Sequence, residues 1–209
     1  HAAQLLTESS TVDAADSILC DILVSNSRRV SDIIDSVSEV SRRQAPKPTN
    51  IVLNHWLPAY IEEYRSQQQK RCNIVISDLT EASVTIAMDS EHLKRTLSNL
   101  LDNALRHSLE EGDCSSIRLD TTLDKRGHQV HLDVVDFGMG VAEYNLSRLF
   151  EPFFTTSTHG SGLGLYLCKE LCEINGARLT YRRTPAGESA FRITFDQVLS
   201  LIHISEPTR

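Results

Sequence analysis

Three short segments of the chain combine residue types that could bind a charged ligand. The first, SNLLDNALRHS (residues 98–108), carries Asn99 and Asn103 four residues apart, with Arg106 three residues further on. On a helix these positions share one face. An amide oxygen is a neutral hard ligand for Mg²⁺, and a guanidinium suits phosphate oxygens. The spacing therefore fits a phosphate chain with its metal ion, although an Asn pair on a helix is usually only a polar face.

The second segment, VVDFGMGV (residues 134–141), reads as a strand that runs into Asp136 and then into Gly138 and Gly140. Glycines let the backbone turn tightly and approach a ligand closely. A carboxylate at a strand end can accept a hydrogen bond from an exocyclic amine such as that of adenine. The same DxGxG pattern also occurs in ordinary tight turns, so alone it leaves a structural role open.

The third segment, HGSGLGLYLCKEL (residues 159–171), places Gly160, Gly162 and Gly164 before an apolar helix pattern. A glycine-rich turn that opens a helix offers free N–H groups and a positive dipole end to phosphate. A dinucleotide fingerprint would need GxGxxG after a strand. Here the spacing is GxGxG and a hydroxyl-rich run precedes it, so we do not expect a Rossmann site.

Between the second and third segments lies LFEPFFTT (residues 149–156). We expect its phenylalanines to belong to the core and to form the hinge of the loop that follows.

Hydrophobic periodicity predicts the elements that position these segments. Strands and helices interleave without strict βαβ alternation, which favours an α+β fold with helices on one sheet face. The pattern predicts helices over 56–70, 91–107 and 163–175, and strands over 73–76, 84–88, 117–123, 130–135, 179–183 and 191–195.

The two ends of the chain have a different character. The pattern predicts one long amphipathic helix over residues 14–43, which follows the end of a preceding helix. Together the two helices would form a helical hairpin, whose apolar stripe packs either against a partner or against its own domain. Pro46 and Pro48 end this helix and mark a linker. The last residues, 199–209 (LSLIHISEPTR), add no obvious element and resemble a translated sequencing adapter. We expect this segment to be a non-native tail, with a natural C-terminal tail as the alternative.

Composition limits the class of protein. With 209 residues, 40% hydrophobic and 23% charged, the chain is an ordinary globular sequence, and its net charge of −7 argues against binding to a nucleic-acid backbone. No stretch approaches the roughly 20 apolar residues of a membrane span. The chain does not begin with Met, so we expect it to be the cytoplasmic part of a longer protein. If that protein lies in the inner membrane, its membrane segments would be upstream of this chain.

Five irregularly spaced cysteines are typical of buried free thiols rather than of a zinc site or disulfides: Cys20, Cys72, Cys114, Cys168 and Cys172.

The ordered segments together resemble the N, G1, F and G2 boxes of the ATP domain of sensor histidine kinases, the Bergerat or GHKL fold. The resemblance covers about residues 50–198. Residues 1–45 resemble the end of the first helix and all of the second helix of the dimerisation and histidine-phosphotransfer domain. The implied fold is α+β, a Bergerat sandwich of helices on one mixed sheet, preceded by a helical-hairpin fragment of a four-helix bundle. The implied domains are 1–45, a linker at 46–50, an ATP-binding catalytic domain at 51–198 and the tail at 199–209.

The resemblance also implies roles for individual residues. Asn103 resembles the asparagine that binds Mg²⁺. Asn99 and Arg106 resemble the catalytic residues that assist it beside the phosphates. Asp136 resembles the aspartate that recognises adenine. His107 would lie beside the nucleotide. The remaining nucleotide contacts would come from the turn glycines and the ATP lid: Gly138, Gly140, Thr156, Gly160, Ser161, Gly162, Leu163 and Gly164. The lid departs from many relatives because no Lys or Arg precedes its glycines, which leaves His159 as the candidate there.

The implied activity is a protein-histidine kinase that uses ATP and Mg²⁺. It would transfer the γ-phosphoryl group to a histidine and on to an aspartate of a response regulator, in a full-length homodimer. Five stretches further resemble sensor kinases that act with sigma-54-type activators: HAAQLL, DAAD, SRRV, GSGLGLYLCKELCEINGARL and FRITF. His1 has no adjacent acid and no proline of the family's acceptor box, so we expect the phosphoacceptor histidine to lie outside this chain.

Two other functions remain as alternatives. GHKL ATPases activate water with a carboxylate one turn before the metal-binding asparagine, and Asn99 stands at that position here. An amide cannot act as a general base at neutral pH, which disfavours hydrolysis. The second alternative is a nucleotide-binding module for sensing or dimerisation without kinase activity.

Overall fold

The structure, a computed structural model, describes residues 20, 23, 26, 27, 30, 45–67, 73–78, 83–108, 116–124, 126, 128–157 and 160–196. The chain divides into two compact units. The first unit consists of residues 1–45 and 147–167, and the second of residues 46–146 and 168–209. The elements in chain order are β1 Thr49–Val52, α1 Leu53–Gln67, β2 Asn73–Asp78, β3 Thr85–Met88, α2 Ser90–Ser108, β4 Ser116–Leu123, β5 Gln129–Asp136, a 3-10 helix Glu143–Arg148, α3 Gly164–Ile174, β6 Arg178–Arg183 and β7 Ser189–Asp196.

The main sheet has five strands in the order β2-β4-β5-β7-β6. The β2–β4 pair is parallel and the other three pairs are antiparallel, so the sheet is mixed. Strand alternation buries one face: Ile117 and Leu119 on β4 and Val130 and Leu132 on β5 are fully buried. The predicted α+β class, with helices packed on a mixed sheet, is confirmed.

One strand was not predicted. Residues 46–50 were expected to be linker only, but β1 begins at Thr49 and pairs antiparallel with β3 in a separate two-stranded sheet. At the junction between β1 and α1, Leu53 N–H donates to Val84 O at 2.9 Å. Asn54 Oδ1 in turn accepts from Val84 N–H at 2.8 Å. A strand of four residues is too short for alternation to reveal it, and its pairing partner lies more than thirty residues away.

Helix α2 carries the first chemical segment. Its buried side is the predicted one, with Leu93, Leu97, Leu100, Leu101 and Ala104 in the core, and it packs on β4 and β5. Asp89 caps its N-terminus, because Oδ1 accepts from the N–H groups of Glu91 and His92 at 3.0 and 3.4 Å. Oδ2 accepts from Lys47 N–H at 2.9 Å. Burial alone would raise the pKa of Asp89, but these backbone donors outweigh it and hold the pKa below its usual value.

Several predictions on the ends of the chain lie outside the described residues. The tail at 199–209 is one of them, and so is most of the helical hairpin at 1–45, of which Cys20, Leu23, Asn26, Ser27 and Val30 are described and are helical. The described part of the chain contains no helix with the length and apolar character needed to cross a membrane. The predicted aromatic core at 149–156 is wrong for Phe153, which is 60% exposed.

Candidate functional site

The asparagine face of α2 lies in the second unit. Asn99 and Asn103 are half-buried and Arg106 is exposed. Behind Asn99, the Cys168 thiol of α3 is fully buried, donates to Thr96 O at 3.6 Å and hydrogen-bonds the Asn99 side chain. Burial raises the pKa of Cys168, so this thiol is uncharged near neutral pH. Asn99 is therefore backed by a neutral buried group.

Asp136 ends β5 between two paired strands. Its residue partners across the sheet are Ile117 on β4 and Ser189 on β7, and it is 5% exposed. Oδ1 accepts a hydrogen bond from Gly138 N–H at 3.0 Å. Within the described residues no donor reaches Oδ2. The turn therefore leaves one oxygen of a buried carboxylate free for a ligand.

The turn that follows Asp136 is fastened on both sides of Gly140. Val141 N–H donates to the Tyr181 hydroxyl at 3.0 Å, and Arg183 Nη2 donates to Met139 O at 2.8 Å. Gly140 has φ +71°, and a Cβ there would lie 2.7 Å from the Tyr181 hydroxyl oxygen. Only glycine fits this conformation without strain and without moving β6 side chains.

A second support lies under Phe137, the first residue of that turn. The Arg118 guanidinium lies 5.6 Å from the Phe137 ring centroid. Arg118 is held by Glu188, with Nη2–Oε2 at 2.7 Å, and by Asp120, with Nε–Oδ1 at 2.8 Å. Tyr181, Arg183 and Arg118 were not among the predicted site residues. Their only sequence signal is alternation along β4 and β6, which does not reveal which loop they contact.

Residues 153–164, called the lid segment below, contain the glycines predicted to contact phosphate and belong to the first unit. Phe153 has φ +65° and Gly162 has φ +71°. A Cβ on Gly162 would lie 2.5 Å from the carbonyl carbon of Phe153 and 2.7 Å from its oxygen. A Cβ on Gly160 would lie 2.7 Å from Thr155 Oγ1. Both glycines are therefore needed for the close packing of this segment on itself.

The rest of the lid segment leads into α3. Thr155 Oγ1 accepts from Ser157 N–H at 3.0 Å, and Ser161 Oγ accepts from Leu163 N–H at 3.4 Å. Leu163 is buried, whereas Thr156 is exposed. The helix begins at Gly164.

The predicted site residues thus fall into two groups. Asn99, Asn103 and Arg106 lie on α2, which packs against β5, the strand that ends in Asp136. Gly138 and Gly140 follow that strand. The lid residues from Thr156 to Gly164 belong to the first unit. The side chains of His107 and His159 lie outside the described residues. No group of three His, Cys, Asp or Glu side chains within the described ranges is arranged to hold a metal ion.

The cysteine prediction is confirmed where the structure describes it. Cys20, Cys168 and Cys172 are buried free thiols. Burial raises the pKa of Cys172 to about 12. Cys72 and Cys114 lie outside the described residues.

Sequence comparison relates the chain to known proteins. The family model described as histidine kinase-, DNA gyrase B- and HSP90-like ATPase matches residues 88–199. Sensor protein kinase PilS of Pseudomonas aeruginosa is 40% identical over 195 residues, which cover 93% of this chain and 37% of that relative. The chain thus spans little more than a third of PilS.

Solved structures agree with the fold. The catalytic domain of histidine kinase ThkA has a TM-score of 0.61 at 22% identity, covering 72% of this chain and 96% of that one. Full-length ShkA in complex with AMPPNP has a TM-score of 0.66 at 21% identity, covering 95% of this chain and 42% of that one. The predicted resemblance to sensor histidine kinases and to the Bergerat fold is confirmed.

Proposed function

Because the chain belongs to the family of histidine kinase-, DNA gyrase B- and HSP90-like ATPases, we propose that it binds ATP with Mg²⁺ and transfers the γ-phosphoryl group to a histidine. The observation that carries the proposal is the buried carboxylate of Asp136 with one oxygen occupied by Gly138 and the other free.

The free oxygen of Asp136 suits adenine. The exocyclic amine of adenine donates a hydrogen bond, and an ionised carboxylate only accepts. Guanine presents a carbonyl oxygen at the equivalent ring position, which would face the carboxylate without a donor. A buried polar group left unpaired in this way is costly, so the site favours adenine nucleotides.

Asn103 suits the Mg²⁺ that accompanies ATP. Its side chain is half-buried and has no hydrogen-bond partner among the described residues, so its amide oxygen is available as a neutral ligand. In proteins Mg²⁺ usually keeps water and phosphate oxygens as its other ligands, so one amide oxygen from the protein is compatible with a bound ion. The bound ion would neutralise charge on the phosphates, and Arg106 on the same face would contact phosphate oxygens.

Asn99 favours phosphoryl transfer to a protein group over hydrolysis. Its amide cannot take a proton from water, and the Cys168 thiol behind it is neutral and buried. The residues of α2 would therefore act by positioning and charge stabilisation. We propose that the lid glycines Gly160, Gly162 and Gly164 add backbone contacts to phosphate, with Ser161, Leu163 and Thr156 beside them.

The remaining parts of the protein are assigned from resemblance. Residues 1–45 would contribute dimerisation and phosphotransfer helices, with the acceptor histidine elsewhere in the protein. The whole kinase would be a homodimer that passes phosphate to a response regulator of the sigma-54-activator type. Its cytoplasmic region would contain this chain, and membrane segments would lie upstream.

Nucleotide titration tests the site. We expect the wild-type protein to bind ATP in a Mg²⁺-dependent manner by isothermal titration calorimetry. Asn103→Ala should remove the Mg²⁺ dependence, and Asp136→Ala should remove adenine recognition. Lys94→Ala is the matched control, because Lys94 lies on the same helix but pairs with Glu63 at 3.1 Å. Unchanged ATP affinity in both site variants would contradict the assignment.

Phosphotransfer distinguishes a kinase from a binding module. We expect this chain to phosphorylate a supplied dimerisation and phosphotransfer domain in trans, measured with γ-labelled ATP. ATP binding without transfer to that domain would favour the non-enzymatic module. Acid-labile phosphohistidine on this chain itself would contradict the assignment of the acceptor to another segment.

A further inference from the structure

The turn at residues 137–141 is fastened by two neighbouring side chains of β6. Tyr181 accepts from Val141 N–H and Arg183 donates to Met139 O, so the two contacts lie on either side of Gly140. The two residues are two apart on one strand and therefore face the same way. This pair holds the backbone of the turn rather than any side chain in it.

Each of these two anchors is itself held in place. The Tyr181 ring packs edge-on against Phe191, with centroids 5.4 Å apart. Arg183 Nη1 donates to Gly187 O at 3.0 Å, while Nη2 serves the turn. A side chain with fixed orientation loses less freedom when it makes a hydrogen bond, so both anchors define the position of the turn.

The same turn controls the free oxygen of Asp136. Gly138 N–H binds Oδ1 at 3.0 Å and so decides which way the carboxylate points. If the turn moves at Met139 or Val141, Gly138 moves with it, because only one or two residues separate them. The orientation of the oxygen that would meet a base therefore depends on β6.

We propose that Tyr181 and Arg183 are positioning residues that set the base specificity of the nucleotide site through this turn. The inference rests on the proposed function, since it assigns the base-reading role to Asp136. Neither side chain needs to touch the nucleotide. Loss of an anchor lets Asp136 adopt other orientations, which weakens the preference for adenine over guanine and leaves phosphate binding on α2 as it was.

The test compares three ligands in two conservative variants. Tyr181→Phe removes one hydroxyl, and Arg183→Met keeps the aliphatic stem without the guanidinium. ATP, GTP and inorganic tripolyphosphate are titrated calorimetrically in the presence of Mg²⁺. We expect the ratio of ATP to GTP affinity to fall about fivefold in each variant, the worth of one hydrogen bond, with tripolyphosphate affinity unchanged.

Arg182→Met is the matched control. Arg182 adjoins both anchors but its Nη1 lies 3.7 Å from the carboxylate of Asp133, on the other face of the sheet. Its ATP to GTP ratio should equal that of the wild type. The variant shows whether loss of any arginine from β6 is enough to change specificity.

The other outcomes contradict either the positioning role alone or the proposed function as well. An unchanged ratio in Tyr181→Phe and Arg183→Met, with ATP still bound, overturns the positioning role alone. An equal loss for all three ligands also overturns it, because that result indicates general destabilisation. A wild-type protein that binds no ATP overturns the proposed function and this inference together. If Arg183→Met does not fold, Tyr181→Phe decides.

Discussion

Two turns of the chain hold a glycine at the same backbone angle by different means. Gly140, after β5, and Gly162, in the lid segment, both have φ +71°. A Cβ on Gly140 would meet the ends of the Tyr181 and Arg183 side chains, whereas one on Gly162 would meet the backbone of Phe153. The ends of Tyr181 and Arg183 can shift if their hydrogen bonds to the turn break, whereas the backbone of Phe153 cannot. The first turn is thus adjustable, and the second is rigid in its own local packing.

The two turns also differ in where their support comes from. The turn after β5 is fastened by residues about forty positions further along the chain, Tyr181 and Arg183. The lid segment is packed by near neighbours, with Phe153 against Gly162 and Thr155 against Gly160. The first turn therefore depends on the sheet being formed, whereas the second depends on its own loop.

The largest effect is expected for Gly162→Ala. The new Cβ combines an unfavourable φ with a 2.5 Å approach to the Phe153 carbonyl carbon. Such backbone strain should cost about 3 kcal/mol, which the segment can relieve by opening locally. Amide hydrogen exchange at Leu163 and Leu167 measures this opening and should become much faster than in the wild type.

Gly176→Ala separates the two causes. Gly176 has φ +73°, and a Cβ there meets no atom within 4 Å. Its cost is that of the backbone angle alone, about 1 kcal/mol. If Gly162→Ala costs no more than Gly176→Ala, the close contact with Phe153 is not what makes the lid segment rigid.

Gly140→Ala should have an intermediate effect. The φ penalty is the same, but the Cβ displaces only the ends of Tyr181 and Arg183, so we expect a loss of about 1 to 2 kcal/mol in urea unfolding. ATP affinity should fall as well, because both anchors of the turn are disturbed at once. A loss equal to that of Gly162→Ala would remove the distinction between adjustable and rigid turns.

The same distinction explains what the sequence could predict. Local hydrophobic periodicity and residue type were enough to predict three features: the asparagine face of α2, the strand that ends in Asp136 and the lid glycines. The anchors Tyr181 and Arg183 depend on the β6–β7 register and on a contact across forty residues, which local patterns do not contain. Strand β1 was missed for the same reason, since its four residues form a strand only by pairing with β3, which is distant in the sequence.

Phe153 provides a smaller test within the lid segment. Phenylalanine seldom adopts φ +65°, and this side chain is 60% exposed, so little packing compensates for the strain. Phe153→Gly should therefore be more stable than Phe153→Ala by about 1 kcal/mol, the reverse of the usual order at ordinary φ. Thermal unfolding of the two variants measures the difference. If Ala proves the more stable, the left-handed backbone at Phe153 does not persist in solution.

The smallest effect concerns the ion pair beneath Phe137. The Arg118 guanidinium, which bonds Glu188, lowers the pKa of that carboxyl. Because the folded-state pKa lies below the unfolded one, the pair stabilises the protein above the ordinary glutamate pKa of about 4.3. This contribution disappears as the pH falls through the lower, folded-state value.

Glu188→Gln should therefore cost about 0.5 kcal/mol near neutral pH and progressively less in acid. Urea unfolding as a function of pH measures both parts, and the variant should show a flatter loss of stability in acid than the wild type. Glu151→Gln is the control, because its pair with Arg148 is more than half exposed on both sides and should contribute little. If the difference in free energy of unfolding between wild type and Glu188→Gln does not change across that pH range, Arg118 is held by Asp120 alone. The turn after β5 would then depend on one fewer distant residue than the structure indicates.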